Sequence, residues 1–113
     1  MDLLTLLTTL ADANASLSQA ADAGLPTVRV HMASARWTPV LRGEMPRHKA
    51  ALLQLLALAP PGRMIHAETL LDWQQAYEER AAILEFEAGL SRLCAESDAW
   101  QALRESVLTF QAQ

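Results

Sequence analysis

The chain has 113 residues, 51% of them apolar, with a formal net charge of −4 and a mean hydropathy of +0.08. That length suits one domain, or one small domain with a helical extension, and the apolar share excludes wholesale disorder. No apolar stretch reaches the ~18 residues of a membrane-spanning helix, and a pI of about 5.2 weighs against a dedicated nucleic-acid-binding module.

Residues 2–13 carry Leu3, Leu6, Leu7 and Leu10 at three- and four-residue spacing, which predicts a helix stopped at Asn14. Two extended pieces follow. Ser16–Ala20 is weak, with only Leu17 strongly apolar and Ala20 of poor strand propensity; Thr27–Met32 alternates, with Val28, Val30 and Met32 on one face and Thr27, Arg29 and His31 on the other. Gly24 and Pro26 mark the intervening loop, so a hairpin is expected. Thr38 and Pro39 form a helix start, a capping hydroxyl before a residue with no amide proton, and predict a short helix over 39–44. Pro46 opens a leucine-dense helix to about Ala59, apolar over more than half its circumference, which calls for deep burial or a second chain.

Pro60–Pro61–Gly62 reads as a linker. Beyond it, one long helix is expected over 67–88, with Leu70, Trp73, Tyr77, Ala81 and Leu84 along one face and Ala76, Ile83 and Phe86 beside it. Gly89 ends that helix and Ser91 caps the next, in which Leu93, Trp100, Leu103, Val107 and Phe110 keep helical spacing; Ser97–Asp98 is a candidate break. The expected fold is therefore α+β and mostly helical. A small helix–hairpin–helix–helix domain (residues 1–59) precedes a Pro/Gly linker (60–66) and a helical pair (67–113).

Charge is unevenly placed. Between Thr27 and Lys49 stand Arg29, Arg36, Arg42, Arg47 and Lys49 against a single acid, Glu44, while the second half is strongly acidic. Such local enrichment attracts an acidic partner or lies on an ordinary solvated surface. His31, His48, His66 and Cys94 lie far apart and show no metal-ligand spacing, and no glycine-rich phosphate loop is present. The lone cysteine excludes an internal disulfide and fits a reducing compartment. With no basic leader at Met1–Asp2–Leu3–Leu4, a cytoplasmic protein is expected. No catalytic residue, metal or cofactor is expected.

The run Trp37–Thr38–Pro39–Val40–Leu41, followed by Arg47–His48–Lys49–Ala50–Ala51–Leu52–Leu53–Gln54–Leu55–Leu56 and preceded by the two extended stretches, resembles the small N-terminal docking domain of the TubC type. The resemblance covers about residues 3–58. Asn14 stands where that family usually has glycine. The segment Glu79–Arg92 is similar to one recurring in small proteins of phages and integrative elements.

The TubC-type resemblance implies a binding module rather than an enzyme, frequently a homodimer, that takes the short acidic tail of a partner protein as an added strand. Carried over by position, Thr27, Val28, Arg29, Val30 and His31 form the docking strand, and Arg36, Arg47 and Lys49 meet the tail. Leu53 and Leu56 are the candidate dimer face. Two other readings remain open at this point: a nucleic-acid-associated accessory factor using the basic 36–49 region, and a small phage-type inhibitor of a host defence or replication protein.

Overall fold

The computed structural model describes residues 1–60 and 62–111, the last four of these by backbone alone; Pro61 and the side chain of Phe110 lie outside the described residues. In chain order the elements are α1 (Leu3–Asp12), β1 (Ser16–Asp22), β2 (Leu25–His31), a 3-10 turn (Ser34–Arg36), α2 (Pro39–Glu44), a second 3-10 turn (Pro46–His48), α3 (Lys49–Leu56), β3 (Ile65–His66), α4 (Ala67–Phe86) and α5 (Arg92–Gln111). The protein is mostly helical α+β, with a three-stranded antiparallel sheet in the order β2-β1-β3. Two compact units divide within α4, Met1–Leu71 and Asp72–Gln113. Among the described residues, no helix is long and apolar enough to cross a membrane.

Helix α1 is set by its ends. The Asp2 carboxylate accepts the N–H of Thr5 at 2.7 Å, and this hydrogen bonding holds its carboxyl below the usual range. At the other end Asn14 takes φ +56°, the N–H of Ala15 reaches the carbonyl of Leu10 at 2.9 Å, and the N–H of Asn14 reaches that of Ala11 at 2.9 Å. Together these make a complete left-handed helix stop, which the short polar side chain of asparagine tolerates. The leucines so aligned are fully buried: Leu6, Leu7 and Leu10 share the interior of the first unit with Leu17 of β1, Leu52 and Leu55 of α3, and Leu70 at the start of α4. Each contributes roughly 1.5–3 kcal/mol of burial relative to exposure.

The hairpin is longer and its turn tighter than the sequence predicts. Pairing runs from Ser16↔His31 to Asp22↔Leu25, leaving only Ala23 and Gly24 as the loop. Both take positive φ (+51° and +80°), the backbone of the two-residue turns whose twist matches a hairpin. Pro26, expected in the loop, lies inside β2 instead, a position open to proline because β2 is an edge strand. Residues 65–66, expected in the linker, form β3 and pair with Leu17 and Ser16; the N–H of Ala67 then reaches the carbonyl of Ala15 at 2.9 Å.

Thr38 caps α2 as expected, its Oγ1 accepting the N–H of Leu41 at 3.2 Å. The leucine-dense segment resolves into the second 3-10 turn and α3, whose Leu52, Leu55 and Leu56 are buried in their own unit. Leu56, assigned to a dimer face from sequence, is only 3% exposed in the single chain and is a core residue; Leu53 is half-buried.

In the second unit, Gly89 (φ +67°) ends α4, and Ser91 Oγ accepts the N–H of Cys94 at 3.4 Å to start α5. The expected break at Ser97–Asp98 does not occur, and α5 is continuous. Its inward row is Ala95, Ala99, Leu103 and Val107, each one turn from the next. Leu93 and Phe86, predicted along or beside the packed faces, are 80% and 84% exposed. Tyr77 and Trp100 meet edge to face at 5.6 Å, and burial pushes the Tyr77 phenol above its ordinary value. The Arg92 guanidinium bonds Glu96 at 2.7 Å and Glu85 at 3.1 Å, tying the start of α5 to the end of α4.

Candidate docking surface

Strand β2 lies at the edge of the sheet, and among the described residues nothing pairs with its outer side. The predicted alternation of its side chains is present. Val28 and Val30 are half-buried; Arg29 and His31 are exposed on the opposite face. Thr27, predicted on the exposed face, is half-buried. Its position at the mouth of the neighbouring groove accounts for the difference.

That groove has a volume of about 390 Å³ and is lined by Thr27 and Val28 of β2, Trp37, Arg42 of α2, Met45, Pro46 and Lys49 of α3. The Thr-Pro helix start places it. By capping α2 at Thr38, the chain turns Trp37 out of the preceding 3-10 turn and lays α2 and the second 3-10 turn beside the strand. Trp37, Met45 and Pro46 give the groove an apolar lining, and the exposed Arg42 and Lys49 border it with two cations. An apolar pocket with a few charged groups at its border both holds and orients a ligand.

The charges are arranged to leave those cations free. Glu44, the one acid among five bases, is turned inward with its side chain 14% exposed. Its carboxylate stands 3.8 Å from the α-ammonium of Met1, 3.6 Å from His48 Nε2 and 3.8 Å from the Arg47 guanidinium. His48 Nε2 also donates to the Met1 carbonyl at 2.9 Å. Arg47 is thus drawn toward Glu44, whereas Arg29, Arg36, Arg42 and Lys49 form no ion pair among the described residues.

Of the site residues named from sequence, Thr27, Val28 and Lys49 come together at the groove, and Arg29, Val30 and His31 continue along the strand. Arg36 is exposed at the end of the 3-10 turn preceding Trp37. Sequence reading did not assign Trp37, Arg42, Met45 and Pro46 to the site, although Trp37 beside a Thr-Pro helix start was a usable signal. It also missed a polar row across the sheet. Ser16 pairs with both His31 and His66, its Oγ lies 3.3 Å from His66 Nδ1, and Ser18 Oγ lies 3.4 Å from His31 Nε2. Both hydroxyls are buried, so His31 is held from one side by β1 while its ring stays exposed.

Among the described residues, no three His, Cys, Asp or Glu side chains gather as a metal site, and Cys94 is exposed. Comparison with known proteins returns no match to a family model, a curated protein or a solved structure.

Proposed function

We propose that the first unit is a non-enzymatic docking module that takes a short acidic segment of a partner protein along the open edge of β2. The observation that carries this reading is the conjunction of an unpaired strand edge with an apolar groove rimmed by Arg42 and Lys49, cations without an ion-pair partner among the described residues. An edge strand supplies main-chain hydrogen bonds for affinity, and a side-chain groove beside it supplies selection. The resemblance to TubC-type docking domains points the same way, since it places partner binding on this hairpin. Glu44, the one acid between Thr27 and Lys49, is turned inward and paired, which lessens its repulsion of an acidic ligand.

The test is selection from a displayed library of random eight-residue peptides on the immobilised full chain. Acidic peptides are expected, and binding of the selected peptides should fall at least about tenfold when Arg42 and Lys49 are both changed to Glu. Failure to enrich any peptide overturns the reading. Oligonucleotide binding with steep salt dependence, lost on changing Arg47 and Lys49 together, replaces it with the nucleic-acid reading.

A further inference from the structure

If an acidic segment docks along β2, as proposed above, the hairpin register decides which atoms it meets. In an antiparallel pair, residues alternate between those that exchange both backbone hydrogen bonds with the partner strand and those whose N–H and C=O point away. A two-residue loop with both φ positive closes on a hydrogen-bonded pair, here Asp22↔Leu25. Counting along the register, Thr27, Arg29 and His31 face β1 with their backbone groups, and Pro26, Val28 and Val30 face outward.

Two independent features fix the same parity. Pro26 has no N–H, so it fits the sheet only where that N–H would point to the open edge. On the far side of β1, the carbonyl of Ala15 accepts the N–H of Ala67 at 2.9 Å, and Leu17 pairs with Ile65. The odd-numbered residues of β1 therefore turn their backbone toward β3, which leaves the even-numbered ones, Ser16 to Asp22, for β2. Among the described residues, no other backbone or side-chain group bonds the outward groups of Val28 and Val30.

We infer that the free N–H donors of β2 are those of Val28 and Val30 alone, and that the docked segment is a short strand of period two: apolar where it faces these two valines, acidic in between. The parity sets the side chains as well as the hydrogen bonds. Residues directly opposite one another in adjacent strands share a face of the sheet. A partner residue opposite Val28 shares the half-buried face and enters the groove against Trp37 and Met45. The residues on either side of it share the face of Arg29, which is exposed and makes no ion pair among the described residues. Pro26 is the stop: with no donor there, the ladder cannot continue toward the hairpin tip, and the recognition window runs from Val28 toward His31.

The experiment uses a peptide selected on the full chain as above, resynthesised with a single N-methyl group at each backbone amide in turn. Methylation at alternate positions should weaken binding by about tenfold, with the intervening positions tolerant. Amide exchange of the protein provides a readout that needs no variant. Val28 and Val30 should exchange fast in the free chain and slow on peptide binding, whereas Arg29 and His31 are protected in both states. Val30→Pro, which removes an outward N–H and no bond to β1, should keep the fold and lose binding. Failure to select any peptide overturns docking itself. A bound peptide with a flat methylation profile, or with Val28 and Val30 exchange unchanged, leaves docking standing and overturns the strand register.

Discussion

Leu6, Leu7, Leu10, Leu17, Leu52 and Leu55 fill the interior of the first unit, whereas Ala81, Ala95 and Ala99 take the fully covered places in the second, joined by Leu103 and Val107. Large side chains bury much area each and need a wide interior; small ones bury little but let backbones approach closely. The first unit is consequently held by volume from several elements at once, and it leaves a strand edge and a groove uncovered without emptying its core. The second rests on small buried side chains, one Tyr77–Trp100 contact and the Arg92 ion pairs, with its largest apolar side chains near the turn left in solvent.

The contrast breaks most visibly at Leu10. Leu10→Ala should destabilise the first unit by about 2–5 kcal/mol, because a cavity is added to the lost transfer energy, and urea unfolding followed through Trp37 reads it. A cost under about 1 kcal/mol would mean that the leucine interior is loosely packed. The second unit should respond to the opposite change. Ala99→Leu inserts bulk at a position with no exposed surface and should cost about 1–3 kcal/mol by the same measurement followed through Trp100; a neutral or stabilising result would mean that the space around Ala99 is loosely filled. The smallest effect is expected at Phe86. Phe86→Ser should stay within about 0.5 kcal/mol, since the ring is 84% exposed, and a larger loss would show that this side chain is covered in solution.

Elements governed by neighbours in sequence were legible. The leucine spacing of α1, the asparagine stop, the Thr38–Pro39 start and the Ser91 cap all depend on groups within a turn of one another, and each appears with the expected hydrogen bond. What the sequence concealed depends on distant partners. Strand β3 has two residues and exists only because β1 offers them a second edge. Alanine gives a weak periodic signal, so Ala95 and Ala99 were missed from the inward row of α5, of which Leu103 and Val107 were legible. Ser97 and Asp98 favour a break by their local chemistry, but as exposed residues on a helix anchored by Ala95 and Ala99 they have nothing to compete against it. The basic cluster was legible as composition. Its division into Arg47, drawn toward Glu44, and the unengaged Arg42 and Lys49 was not, because it depends on the burial of one carboxylate.

Ala23 has a consequence of its own. At φ +51° it holds a left-handed conformation that disfavours a residue with a Cβ by roughly 1–2 kcal/mol and that asparagine, as at Asn14, occupies more readily. The tip of the hairpin thus holds unused stability three residues from the point where Pro26 ends the open ladder. A lineage carrying this chain has room to offset a destabilising change in the groove by one substitution at the tip, so recognition and robustness can drift along the same strand pair without trading against each other.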